Sequence, residues 1–157
     1  VMGSDSDLKV MEKCVDRLKS FDIPVEVRIC SAHRTPAVAE QLAKNAAEEG
    51  FGVIIAAAGK AAHLGGVLAA YTTLPVIGVP MATSVMGGMD SLLSIVQMPK
   101  GIPVATVAID GADNAAILAA QMIALSDEAL AAKLAAFKAD MAAEVTAKDE
   151  KVRAQFA

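Results

Sequence analysis

Apolar and polar positions follow one another along the chain in a repeating order of strand, polar loop and helix. Residues 1–2 have the character of the end of a strand, and residues 8–18 carry apolar side chains at helical spacing. Residues 25–29 alternate as a strand does. Thr35-Pro36 predicts the start of a helix running to about residue 49, because threonine suits the cap and proline the first turn.

The second half of the chain keeps the same order. Residues 53–58 are continuously apolar, as expected for a central parallel strand buried on both faces. Alternating βα units predict a single α/β domain over residues 1–157, with helices on both faces of an open parallel sheet. The remaining predicted elements are strands at residues 76–79 and 103–109, a short helix that follows a loop at residues 59–66 and ends near residue 71, helices at residues 90–97 and 114–125, and a long helix from residue 126.

The last helix, at about residues 127–155, has an apolar stripe but little sheet left to cover. The stripe consists of Leu130, Leu134, Phe137, Met141 and Val145. The whole chain is 55% hydrophobic, which is more apolar surface than one small domain easily buries. We therefore expect a homo-oligomer in which this helix packs on a neighbouring subunit.

Charge and composition exclude two classes of partner. The net charge is −4, and no basic stripe is available to neutralise the phosphates of a nucleic acid. Residues 61–89 contain no Asp, Glu, Lys or Arg, but their glycines and prolines interrupt any continuous membrane-spanning helix. Two isolated cysteines, Cys14 and Cys30, are typical of reduced packing residues and indicate a cytoplasmic location.

Polar side chains follow the first three predicted strands, at the edge where open α/β sheets bind ligands. The first loop offers hydroxyl and carboxylate groups on Ser4, Asp5, Ser6 and Asp7 beside a helix N-terminus, which suits a phosphate. The same side chains would also serve as helix caps, and both interpretations remain open. The next two loops supply Ser31, His33, Arg34, Gly59 and His63.

Arg34, His33 and His63 are the side chains in these loops with the most chemistry. An arginine can grip a phosphate in two places, although a salt bridge to a carboxylate is the plain alternative. Histidine titrates near neutral pH, so His33 could both give and take a proton. His63 fits a catalytic or a structural role equally, and the backbone at Gly59 would let a ligand approach closely.

Several other chemistries lack their sequence patterns. The chain has no GxGxxG or GxSxG motif, and Lys60 is not followed by the Ser or Thr of a phosphate-binding loop. The two histidines stand thirty residues apart without nearby cysteines or carboxylates, so no metal site is expected.

The motifs in these loops resemble those of the class I N5-carboxyaminoimidazole ribonucleotide mutase family. Residues 2–7 resemble its MGSxSD opening, and residues 31–36 reproduce its SAHRTP motif. Residues 58–66 are similar to its AGGAAHLPG loop, and residues 90–99 match its DSLLSIVQMP run. The resemblance covers almost the whole chain, with Lys60 and Gly65 standing where the commonest pattern has Gly and Pro.

The resemblance implies a flavodoxin-like three-layer α/β/α fold, usually assembled as an octamer. It implies migration of a carboxyl group from the exocyclic nitrogen of an aminoimidazole ribonucleotide to ring carbon C4, with neither metal nor ATP as cofactor. Ser4, Asp7 and Arg34 would hold the phosphoribosyl part, His33 would carry the proton, and Ser31 and Gly59 would line the reacting end. Ser6 and His63 complete the expected substrate-binding set.

Two alternatives to this activity remain. The related class II enzymes take carbon dioxide directly, but the AAHL run at residues 61–64 favours class I. A non-catalytic module of similar fold, such as a phosphoacceptor or flavin carrier, is the other. A phosphoacceptor domain needs an Asp at the end of its third strand, where this chain has Ala58-Gly59.

Overall fold

Parallel strands form the centre of the structure, a computed structural model that describes all residues, 1–157. Strand β1 (Ile54–Ala58) pairs with β2 (Val76–Pro80) over five residues, from Ile54 opposite Val76 to Ala58 opposite Pro80. Strand β2 pairs in turn with the short β3 (Ala105–Thr106). Every pairing is parallel, so the strands all end at the same edge.

Met2 extends this sheet beyond β1. It forms parallel bridges to Ala57 of β1 on one side and to Ile29 on the other. The order across the sheet is therefore Ile29, Met2, β1, β2 and β3, which is the flavodoxin-like order. Together with the helices on both faces, this order confirms the predicted three-layer fold.

Six α-helices surround the sheet in two layers. One face packs against α1 and α5 and the other against α2, α3 and α4, while α6 leaves the sheet and packs near the end of α5. Short 3₁₀ turns at Asp5–Asp7 and Ala124–Ser126 precede α1 and α6. The bounds are α1 Leu8–Ser20, α2 Pro36–Asn45, α3 Leu64–Tyr71, α4 Met89–Val96, α5 Ala112–Ile123 and α6 Glu128–Gln155.

The sheet is buried on both faces because alternate residues of each strand point to opposite sides. Ala57 belongs to one cluster of 12 buried residues, and its neighbours Ala56 and Ala58 belong to a second cluster of 12. In β2, Ile77 and Val76 divide between the two clusters in the same way. This arrangement explains the continuous apolar runs in the sequence.

Three predicted elements are shorter in the structure. The strand expected at residues 25–29 forms one bridge, at Ile29, because Met2 alone pairs with it. The strand expected at residues 103–109 keeps only Ala105–Thr106 in regular pairing. Helix α2 ends at Asn45 rather than near residue 49, and a turn through Gly50 at φ 87° then reverses the chain.

The start of α2 also differs from the prediction in detail. Thr35 occupies the cap position, but its hydroxyl makes no cap bond to the helix. That hydroxyl instead accepts from the backbone N–H of Ser31 at 3.0 Å and donates to the Ser31 carbonyl at 3.0 Å. Thr35 therefore shapes the loop ahead of the helix.

The long helix α6 divides into a packed part and a projecting part. Asp127 caps it by accepting from the backbone N–H of Leu130, whose side chain is buried. The Phe137 ring packs edge-on against Phe21, with 5.5 Å between ring centroids. Beyond that contact the helix is exposed, including the apolar Val145.

None of the helices combines the length and the apolar character that crossing a bilayer requires.

Gly78 provides a test of the close contact between β2 and α4. A β-carbon at this position would overlap the Ile95 side chain and lie 3.0 Å from Cγ1 of Val104. We expect Gly78→Ala to lower the free energy of unfolding by about 1–3 kcal/mol, the usual range for an overpacked core. Chemical denaturation measures it, with Gly52→Ala as control, since a β-carbon there meets only Ile123 at 3.6 Å. Equal stability of the two variants would contradict the packing.

Candidate functional site

A cavity of about 650 Å³ opens where the parallel strands end. Its wall comes from the loops that follow Met2, Ile29, β1 and β2, so the sheet order brings four loops together. All eight side chains or backbones predicted for the site line it, namely Ser4, Ser6, Asp7, Ser31, His33, Arg34, Gly59 and His63.

The first loop is organised by its own hydroxyl and carboxylate groups. Ser4 caps the 3₁₀ turn by accepting from the backbone N–H of Ser6 at 3.3 Å, and it donates to Asp5 at 3.1 Å. The Ser6 hydroxyl donates to Asp7 at 3.2 Å. The capping interpretation is therefore confirmed for Ser4, and because Ser4 also lines the cavity, the phosphate interpretation stays a prediction.

Asp7 is a buried carboxylate at the floor of this loop. Only 8% of its surface is exposed. Burial raises the pKa of Asp7 above its ordinary value, because the charged form loses hydration, although the Ser6 hydroxyl partly offsets this. The site therefore holds a negative charge that the folded protein does not stabilise well.

Arg34 is free of carboxylate partners. None of the ion pairs in the structure includes it. Its guanidinium donates to the carbonyl of Gly3 at 3.2 Å and to the Ser31 hydroxyl at 3.4 Å. Because a guanidinium has five N–H donors, several remain for an anion, and the salt-bridge alternative is excluded by the geometry.

His33 and His63 are hydrogen-bonded to each other. Nε2 of His33 lies 2.8 Å from Nδ1 of His63, and the rings meet edge-on at 81° with 5.0 Å between centroids. One ring must donate and the other accept, so the pair keeps this bond only while at least one facing nitrogen is unprotonated. Both rings are exposed to the cavity.

Hydrogen bonds from α4 hold the loop after β1 in place. The buried Ser91 hydroxyl accepts from the backbone N–H of Lys60 at 3.0 Å and donates to the carbonyl of Met81 at 2.8 Å. Ser94 donates to the carbonyl of Lys60 at 3.3 Å. Lys60 itself has φ 58°, a left-handed conformation that favours glycine.

The sequence reasoning missed the wall formed by residues 81–84 and the role of Ser91. Ser91 is fully buried, and it links the loops after β1 and β2. A polar residue among the apolar positions of the predicted helix at residues 90–97 was the available signal. No group of three or more His, Cys, Asp or Glu side chains is placed to hold a metal ion.

Known proteins of similar sequence and fold identify the family to which this chain belongs. The family model described as AIR carboxylase matches residues 1–144. The chain belongs to the AIR carboxylase family. Within it, the N5-carboxyaminoimidazole ribonucleotide mutase of Mycobacterium leprae (strain TN) is 55% identical over 149 residues, 95% of this chain and 87% of that protein.

Two further members agree in sequence and in fold. The N5-carboxyaminoimidazole ribonucleotide mutase of Methanocaldococcus jannaschii is 53% identical over 156 residues, 99% of this chain and 97% of that protein. The crystal structure of Treponema denticola PurE superposes with a TM-score of 0.85 at 30% identity, covering 96% of this chain and 94% of that chain.

The backbone is suited to glycine and proline at the positions of Lys60 and Gly65, the two departures from the motif that the sequence resembles. Lys60 stands at a positive φ, where glycine avoids a cost of about 1–2 kcal/mol for other residues. Gly65 is the second residue of α3, in the first helical turn, where proline is tolerated because its missing N–H has no partner to lose. A β-carbon at Gly65 would meet only ordinary contacts, 3.6 Å from Val104 and 3.8 Å from Ala56.

Asp7 gives a prediction about how stability depends on pH. Because its folded-state pKa is raised, the folded protein binds the Asp7 proton more tightly than the unfolded chain, so this group makes stability fall as pH rises through that range. Asp7→Asn removes the buried charge and keeps an oxygen for the Ser6 hydroxyl. We expect a higher Tm at neutral pH, with a gain of about 1 kcal/mol appearing as about 2–4 °C.

Thermal melts of both proteins across acidic and neutral pH measure this effect. The gain should shrink as pH falls and Asp7 of the parent becomes protonated. Asp16→Asn, an exposed carboxylate on α1, controls for loss of one charge. A Tm difference that is independent of pH would contradict the role of burial.

Proposed function

We propose that this protein converts N5-carboxyaminoimidazole ribonucleotide to 4-carboxy-5-aminoimidazole ribonucleotide, as an isomerase of purine biosynthesis. The observation that carries the proposal is the cavity in which an unpaired arginine and a hydrogen-bonded histidine pair meet. Relatives with the mutase name share 55% and 53% of their residues with this chain over nearly its whole length.

The phosphoribosyl part binds to the first two loops. Arg34 offers its free guanidinium donors to the phosphate, and the hydroxyls of Ser4 and Ser6 lie in the loop beside it. Charge-assisted bonds of this kind are the strong ones in phosphate recognition. Asp7 accepts from the ribose hydroxyls, a role that an acceptor at the cavity floor supports.

The histidine pair handles the single proton that the reaction moves. When the bond between the exocyclic nitrogen and the carboxyl carbon breaks, its electron pair stays on nitrogen, which takes a proton from His33, and carbon dioxide is released. Ring carbon C4 then forms a bond to carbon dioxide, and His33 removes the proton from C4. The enzyme ends with the protons it began with, so one histidine suffices.

His63 holds His33 in orientation through the 2.8 Å hydrogen bond. An imidazole that accepts from its neighbour stabilises the protonated form of that neighbour, and one that donates stabilises the neutral form. The pair can therefore support both halves of the proton cycle by exchanging donor and acceptor. Ser31 and Gly59 line the reacting end beside it.

Part of the cavity wall is apolar. Ala58, Ala61, Leu64, Met81 and Ala82 contribute apolar surface to the cavity. Such a wall disfavours water around the carboxylate and keeps carbon dioxide near C4 between the two steps. No part of this scheme requires a metal ion or ATP.

His33→Asn tests the proton role. Asparagine keeps a polar side chain of similar reach but cannot titrate. We expect turnover to fall by about 100-fold or more, the usual scale of general acid–base loss, while ligand affinity stays within a few fold. Turnover with the carbamate ribonucleotide and affinity by calorimetry measure the two effects. The parent should remain active in EDTA and without ATP.

Two outcomes would contradict parts of the proposal. A fully active His33→Asn variant would assign the proton to another group, with His63→Asn the next variant to assay. A parent that ignores the carbamate but uses free aminoimidazole ribonucleotide with carbon dioxide would be a class II carboxylase. A parent with neither activity, or a yellow flavin-bound protein, would favour the non-catalytic module.

We further propose a homo-oligomer, with eight subunits suggested by the family resemblance. The projecting part of α6 is the support, because Met141, Val145 and Val152 are exposed by 43%, 66% and 52% along one side of the helix. This single α/β unit leaves that side without an intramolecular partner. A neighbouring subunit would bury it. The free, buried Cys14 and Cys30 support a reducing, cytoplasmic location.

Charge placed on α6 tests the assembly. We expect Met141→Glu/Val145→Glu to shift the protein from an oligomer to smaller species, because a carboxylate cannot be buried there without a partner. Ala143→Glu/Ala147→Glu adds the same charge on the opposite side of the helix and should leave the assembly intact. Light scattering coupled to size exclusion reads the mass. A parent that is monomeric at all concentrations would contradict the proposal.

A further inference from the structure

Apart from the two histidines, three titratable side chains line the cavity. Arg34 and Asp7 have the roles given above, and Lys60 is the third. The proposed reaction does not yet use Lys60. Its substrate carries two anionic groups, a phosphate and a carboxylate, and the first two loops supply a cation for the phosphate alone.

The ammonium of Lys60 is unengaged. Lys60 is exposed, none of its hydrogen bonds involves the side chain, and no carboxylate lies within 4.0 Å of Nζ. Most of the other lysines are also outside ion pairs, but they lie on solvent-facing helices or, in the case of Lys100, in an exposed turn away from the cavity. Lys60 is distinguished by its place on the cavity wall.

The backbone of Lys60 is held firmly in a conformation that a lysine rarely adopts. Its φ of 58° lies in the left-handed region. Its N–H donates to the Ser91 hydroxyl and its carbonyl accepts from the Ser94 hydroxyl, both on α4. Strained residues that the surroundings hold in place concentrate at functional sites. The strain fixes the point from which the side chain extends.

Lys60 and Arg34 belong to different loops of the cavity wall. Arg34 follows the outermost sheet position, at Ile29, and Lys60 follows β1, two positions further across. Two strand spacings amount to about 10 Å. Lys60 is next to Ala61 in the cavity wall, and the Ser91 hydroxyl joins its backbone to that of Met81, so the chain at Lys60 borders these apolar side chains.

We propose that Lys60 binds the carboxylate of the substrate and selects carboxylated over uncarboxylated ribonucleotides. The inference rests on the proposed function. A single ammonium group beside apolar wall residues such as Ala61 suits a small anion of charge −1. The phosphate instead needs the many donors of the first two loops. Carbon dioxide is neutral and gains nothing from this ammonium, so Lys60 favours the bound forms in which the carboxylate is attached.

Calorimetric binding of two ligands tests the proposal. The probes are 4-carboxy-5-aminoimidazole ribonucleotide and 5-aminoimidazole ribonucleotide, which differ only in the carboxylate. We expect Lys60→Met to weaken the first by about 10-fold, at the lower end for a charge-assisted hydrogen bond, and to leave the second within about twofold. Lys60→Arg should keep most of the discrimination, because it keeps the charge.

Two further variants separate this effect from changes in fold or net charge. Lys60→Gly also removes the ammonium but suits the left-handed backbone, so it should lose the same discrimination without a lower Tm. Lys100→Met removes one charge from an exposed turn ahead of β3, at the other edge of the sheet, and should bind both ligands as the parent does.

The outcomes separate a failure of the Lys60 proposal from a failure of the proposed function. If Lys60→Met binds both ligands as the parent does, or weakens both equally, Lys60 does not recognise the carboxylate and the inference is overturned. If the parent binds neither ribonucleotide, the proposed function fails with it. Parent binding of both ligands with unchanged discrimination in both Lys60→Met and Lys60→Gly would overturn the inference alone.

Discussion

The backbone of Met2 joins the two parts of the sheet, and the site depends on that junction. Its N–H donates to the carbonyl of Arg28 at 2.9 Å, and its carbonyl accepts from Cys30 at 2.8 Å. On the other side, Gly3 donates to Ala57 of β1 at 3.0 Å. These bonds align the ends of three neighbouring segments, so the loops after each of them open into one cavity. The histidine pair, drawn from loops thirty residues apart, can form only in that alignment.

Small side chains make this alignment possible. Ala56, Ala57 and Ala58 are buried on alternating faces of β1, and α5 presents Ala112, Ala115, Ala116 and Ala119 to the sheet. Alanine loses little side-chain entropy on folding and lets helices approach the sheet closely. The charged groups are thereby excluded from both faces. They remain at the strand ends, where the loops carry them into the cavity.

The fold was largely predictable from the pattern of residues. For the site, the pattern predicted which residues line the cavity, but not which of them contact one another. Residues 53–58 and 76–79 are continuously apolar, as a central parallel strand buried on both faces requires, and the structure has strands at Ile54–Ala58 and Val76–Pro80. Residues 25–29 alternate as a strand does, but only Met2 pairs with them, through one bridge at Ile29, because pairing depends on the whole sheet. The hydrogen bond between His33 and His63 and the one between Lys60 and Ser91 join residues about thirty apart, which no local pattern encodes.

The site concentrates features that lower the stability of the folded chain. Asp7 is buried as a carboxylate, Arg34 and Lys60 lack counter-ions, and Lys60 adopts a backbone conformation suited to glycine. The buried carboxylate and the left-handed backbone cost stability, which the two apolar clusters on the faces of the sheet offset, whereas the two exposed cations cost little in water. An anionic ligand would supply the counter-charge that these cations lack. Two cations without protein counter-ions in one cavity therefore favour an anionic ligand, and the phosphate and the carboxylate of the proposed substrate would pair with both.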